Sequence, residues 1–136
     1  MAECDWAVFC DYAFEDNRGK LCLIGLFQYI HAASFPANHP TLFFVVHLVG
    51  AAHERTDVTV DVTGPGGRTL TTLIENANVG LTVDGTANLL LNVAGQPLPD
   101  PGRYTFTVRA GATVLRAATL TAAKLPSGSP GAEQVH

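Results

Sequence analysis

The chain has 136 residues, of which 47% are apolar and only 15% charged. That is well under the roughly 25% charged fraction of an average soluble domain, which excludes a disordered chain and suits a single core. With 8 Lys+Arg against 12 Asp+Glu, the net charge of -4 cannot neutralise a row of phosphates, so nucleic acid is not an expected partner.

Runs rich in Val, Leu, Phe and Thr, each bounded by Gly, Pro, Asn or Asp, recur along the chain and read as strands. The first is Trp6 to Phe14, with a hairpin partner from Lys20 to Ile30; Asn17 and Gly19 between them tolerate the positive φ that a tight loop needs. A loop carrying Pro36 and Pro40 follows, then runs from Leu42 to Val49 and from Asp57 to Thr63. Gly64 to Gly67 turn the chain into Arg68 to Glu75, and a weaker segment at Val79 to Val83 reads as a short edge strand. Ala87 to Val93, Arg103 to Arg109 and Thr113 to Thr121 complete the set. No helical period is sustained, so the expectation is all-β: an antiparallel β-sandwich of about seven or eight strands, immunoglobulin-like or related. Residues 1–124 form the domain and 125–136, rich in Ser, Gly and Pro, a disordered tail.

The chain opens with two acids and no base, unlike a secretory signal. Its longest apolar stretch, Leu42 to Ala52, is broken by His47 and falls short of the roughly 20 residues of a membrane span. A cytoplasmic protein without membrane contact is expected, with Cys4, Cys10 and Cys22 reduced.

Strands near the C-terminus alternate cleanly: Tyr104, Phe106 and Val108 point one way, Arg103, Thr105, Thr107 and Arg109 the other. The N-terminal strands are apolar on both sides, as in Leu42, Phe44, Val46 and Leu48 against Phe43, Val45, His47 and Val49. A sandwich buries one face of each sheet, so the proline-rich loop, the segment from Asn76 to Gly85 or another protein chain must cover the second. Ile24, Leu26, Phe43, Val45 and His47 are the candidate contact residues, and Phe35, Pro36, His39 and Pro40 form a candidate recognition loop docked on the sheet. Asp11, an acid in mid-strand, reads as a structural lock that needs a partner such as Lys20, Arg18 or a backbone amide of the proline-rich loop.

His31, His39 and His47 with Cys10, Cys22 and Asp11 include zinc-ligand types, yet no close ligand pair such as C-x2-C occurs, so no metal or other cofactor is expected. Cys10 sits in the company of Trp6, Val8 and Tyr12 and reads as a small buried hydrophobe instead of a nucleophile. Gly64 to Gly67 lack the Lys and Ser/Thr of a phosphate loop.

Cys10-Asp11-Tyr12, Gly19-Lys20-Leu21, Ile24-Gly25-Leu26-Phe27 and Phe35-Pro36 with His39-Pro40 give the first 50 or so residues their character. This stretch resembles a family of small bacterial β-rich proteins classed as a domain of unknown function. The resemblance implies a bacterial, cytoplasmic origin and a compact β fold, and it brings no activity. The expected function is a non-enzymatic module that binds protein, either a second copy of itself or the product of a neighbouring gene. Two alternatives stand beside it. One is a small-molecule or carbohydrate site using Trp6, Tyr12, Tyr29, His31 and His39. The other is a metal-dependent enzyme built on the histidines.

Overall fold

Asp16 makes the first turn. Its carboxylate accepts the backbone N–H groups of Arg18 and Lys20 at 2.8 and 2.9 Å, and Gly19 takes the positive φ of 78°, so side chain and backbone together close the hairpin. Asn17 does not share that conformation; among the described residues, the non-glycine ones with positive φ are His53 and Asn76. The computed structural model describes residues 1–93 and 95–125. The expected tail, apart from Leu125, lies outside the described residues.

Among the described residues there are nine strands: β1 (Glu3–Glu15), β2 (Leu21–Phe27), β3 (Tyr29–Ala32), β4 (Phe43–Val49), β5 (Arg55–Thr63), β6 (Thr69–Gly80), β7 (Thr86–Asn92), β8 (Gly102–Ala110) and β9 (Thr113–Lys124). They form a four-stranded sheet in the order β2-β1-β4-β7 and a five-stranded sheet in the order β3-β9-β8-β5-β6. The fold is an all-β, immunoglobulin-like sandwich.

Three details differ from the expectation. The run from Lys20 to Ile30 is two strands in different sheets: the chain leaves the first sheet at Phe27, bends at Gln28 and pairs with β9 from Tyr29. Phe27 and Ile30, which are of opposite parity, are both buried, so the alternation must change phase between them. The sandwich is also not purely antiparallel, because β3 runs parallel to β9. The segment read as a short edge strand at Val79 to Val83 is split as well. Val79 and Gly80 end a longer β6, whereas Thr82 forms a turn, accepting the N–H of Gly85 and donating to Thr86.

The core lies where the alternation places it. Val58, Val60, Val62, Tyr104, Phe106 and Val108 are at most 1% exposed and meet Phe44, Val46 and Leu48 from the opposite sheet. Phe9, Phe44 and Phe106 pack with ring centroids 4.8–5.0 Å apart, a geometry that adds to area burial. Tyr104 is fully buried, but its hydroxyl is satisfied: it donates to the carbonyl of Asp100 and accepts the Asp100 N–H. A tyrosine early in a strand, bonded back to the chain just upstream, is the corner that immunoglobulin-like sandwiches use.

Candidate interaction face

A sandwich strand normally turns its second face to water, and polar residues occupy it. The outer face of the four-stranded sheet departs from this. In β1 and β4, Cys10 lies opposite Phe43, Val8 opposite Val45 and Trp6 opposite His47. β7 adds Leu90 beside Val45 and Asn88 beside His47, and β2 sets Leu26 against Cys10 and Ile24 against Tyr12. These rows contain no Asp, Glu, Lys or Arg. Cys10 and Val45 are 0% exposed and form, with Ala13, a second apolar cluster separate from the main core.

The five candidate contact residues are therefore brought onto one face, with unequal accessibility. Ile24 and Leu26 are 52% and 62% exposed, and Tyr12 beside them is 52% exposed. Phe43 and His47 are half-buried, and the Phe43 ring approaches Tyr12. Val45 has no accessible surface, so it supports the face from beneath and is not a contact residue, a correction to its candidacy. Its neighbours cover it because it sits at the centre of the second cluster. His47 is held in place: its ring stacks on Trp6 at 5.1 Å, and its Nδ1 lies 2.6 Å from Asn88 Oδ1.

The proline-rich loop docks at one edge. Ala37 and Leu98 exchange backbone hydrogen bonds at 2.8 Å, and Phe35 packs against the main core. Pro36 and Pro40 are exposed, but His39 is 7% exposed and so is not a surface recognition group, which corrects its role in the loop. Its ring meets the edge of Phe27, and its Nε2 lies 3.4 Å from Asp11 Oδ1. Thr41 Oγ1 approaches the same oxygen at 3.5 Å. The partners of Asp11 are thus side chains of the loop, not Lys20, Arg18 or a backbone amide. Gly25 faces Asp11 across the ladder; at φ 73° it lacks the Cβ that would stand 2.5 Å from the carboxylate. A glycine in mid-strand is required there by that close approach. Burial pushes the His39 pKa below its usual value, against the opposing pull of Asp11.

The remaining candidate groups do not converge. His31 and His39 line a cavity of about 270 Å³ under the loop, whereas His47 belongs to the outer face. Among the described residues, no group of three His, Cys, Asp or Glu side chains could hold a metal ion. Cys4, Cys10 and Cys22 are free thiols. Burial and the neighbouring Asp11 raise the Cys10 pKa, and burial raises that of Cys4, the opposite of the shift that activates a nucleophile.

Structural likeness agrees with the architecture. An immunoglobulin-like protein from Pseudomonas aeruginosa superposes with a TM-score of 0.52 at 14% identity, over 90% of this chain and 97% of that one. A β-glucosidase from Chaetomella raphigera matches with a TM-score of 0.51 at 6% identity; the likeness covers 89% of this chain and 18% of the enzyme. At such identities only the fold is shared. No curated protein matches the sequence. The model of a family of unknown function, DUF6941, matches residues 5–123, and the chain belongs to that family.

Proposed function

We propose that this chain is a non-enzymatic β-sandwich module of the cytoplasm that binds protein through the outer face of its four-stranded sheet, either a second copy of itself or a neighbouring gene product. One observation carries the reading: Tyr12, Ile24 and Leu26 are more than half exposed beside an uncharged, half-buried floor of Trp6, Val8 and Phe43. Exposed apolar surface continuous with a packed cluster is the usual mark of an interface, and aromatic residues with few charges form the centre of one. The three unpaired cysteines support the cytoplasmic setting.

The test is the assembly state of the untagged protein and of Ile24→Asp and Leu26→Asp, followed by sedimentation and native mass spectrometry. Both substitutions fall on exposed side chains, so the fold is expected to survive. The wild type should form a concentration-dependent dimer or retain a partner of defined mass, and both variants should lose it. A wild type that stays monomeric and retains no partner from its native host, like the variants, overturns the reading. For the small-molecule alternative, the aromatic candidates do not gather around one cavity: the 270 Å³ cavity has His31 and His39 in its lining, whereas Trp6 is stacked on His47.

A further inference from the structure

The switch of the chain from one sheet to the other at Gln28 leaves two strands half-paired. β2 accompanies β1 only from Phe9 onward, and β3 accompanies β9 only from Thr121 onward. Along β9, the stretch from Thr113 to Leu120 has no hydrogen-bonded strand on that side among the described residues. Between this open edge and the unaccompanied part of β1 lies a groove of about 630 Å³, closed at one end by Leu26 to Tyr29.

The direction of the open hydrogen-bonding groups follows from strand geometry. The Thr121 N–H points away from β8 and donates to Gln28 O at 2.9 Å. Successive residues of an antiparallel strand alternate in direction, so Ala117 and Thr119 present their backbone N–H and C=O to the groove. The small side chains of Ala7, Ala117 and Ala118 leave room for another backbone. At the rim stands Arg116, whose guanidinium donates to the carbonyls of Cys4 and Asp5 at 3.1–3.4 Å and lies beside the Cys4 thiol. It has no carboxylate partner among the described residues.

We infer that this groove binds an extended, acid-bearing segment of a partner protein by strand addition to β9. An open ladder edge is a template for another strand, and a guanidinium held only by neutral groups is a site for a carboxylate. Arg116 is the sole charged residue between Thr113 and Leu120. It therefore guards the edge against uncharged strands and against a second β9, which in the centred antiparallel register would set two Arg116 side chains together. An acidic residue on the incoming segment turns that guard into a contact. The groove shares Val8 and Leu26 with the outer face described above, but strand addition to β9 does not depend on that face being an interface.

The experiment uses the full chain, isotope-labelled, and short synthetic peptides that alternate Val and Thr around a central Glu, with matched peptides carrying Lys instead. The Glu peptides should shift the amide resonances of Ala117 and Thr119 saturably, slow their hydrogen exchange and bind at least about tenfold more tightly than the Lys peptides, a difference of about 1.4 kcal/mol. Arg116→Glu should reverse that order. Ala117→Pro removes an outward N–H without removing a ladder bond to β8, and it should abolish binding. The exchange measurement on the wild type stands even where a variant misfolds. Absence of any perturbation at Ala117 and Thr119, equal binding of Glu and Lys peptides, or shifts confined to Tyr12 and Ile24 overturns the inference. So does dimerisation through β9 alone.

Discussion

On the outer face of the five-stranded sheet, Asp61 accepts hydrogen bonds from Arg109 at 2.7 and 2.9 Å and from Thr72 at 2.9 Å. Nearby, Asn78 links Arg55 to Asp57. At the equivalent level of the four-stranded sheet, Val45 lies between Val8 and Leu90 without a polar group in the row. One face is thus held by exposed, solvent-screened polar links, each of which contributes little. The other excludes water from its centre and leaves an apolar rim. The same architecture therefore carries two outer surfaces of opposite chemistry, and only the apolar one exposes a patch whose burial would release hydrophobic free energy.

The largest effect should come from the centre of the apolar face. Val45→Asp buries a carboxylate at a position with 0% exposure and should cost at least about 3 kcal/mol of stability, enough to unfold a marginal domain. Ile24→Asp, on the same face but 52% exposed, should cost less than about 1 kcal/mol. Urea unfolding of both reads the difference; equal costs would mean that the second cluster is not packed. Next comes Gly25→Ala, which combines a positive φ with a Cβ placed 2.5 Å from the Asp11 carboxylate, and about 1–3 kcal/mol is expected. Asp11→Ala in the Gly25→Ala background should recover the steric part but not the backbone part, a non-additivity that a double-mutant cycle measures.

Period-2 alternation made β5 and β8 of the five-stranded sheet legible from the residues alone. Val58, Val60 and Val62, like Tyr104, Phe106 and Val108, could be assigned inward because threonines and charges separate them. The break at Gln28 could not be seen, since Leu21 to Ile30 is apolar at both parities and hides a change of phase. That break creates the parallel β3–β9 pair and the groove, so the groove was hidden for the same reason. The apolar face was legible as an excess of hydrophobic residues, but parity alone could not say that Val45 would lie beneath its neighbours while Leu26 stayed exposed. Asp11 stood out as an acid in a strand. Its partners, His39 and Thr41, come from the loop after β3, beyond any local pattern.

The loop that holds Asp11 also carries a pH dependence. His39 is buried, its Nδ1 has no partner among the described residues, and burial lowers its pKa below the usual value of about 6.5. The unfolded chain then binds a proton more readily than the folded one. This group's contribution is full above about pH 6.5 and is lost as the pH falls through the window between the unfolded and the lowered folded value. Thermal unfolding of the wild type should show a decline on acidification below about pH 6.5, and His39→Gln should flatten that part of the profile. An unchanged profile in the variant would assign the decline to other groups.

The smallest effect belongs to the polar face. The Arg109–Asp61 pair is one-third exposed on the arginine side and one-fifth on the aspartate side, and both arginine bonds go to a single carboxylate oxygen, so the arrangement lacks the two-oxygen fork that strengthens such pairs. A double-mutant cycle with Arg109→Ala and Asp61→Ala should give a coupling of about 0.5–1 kcal/mol that shrinks as salt is raised. The Val45→Asp cost should be nearly independent of salt, because its origin is desolvation. If the Arg109–Asp61 coupling instead persisted in high salt, the polar face would be shielded from solvent in the folded protein, and the contrast between the two outer surfaces would have to be redrawn.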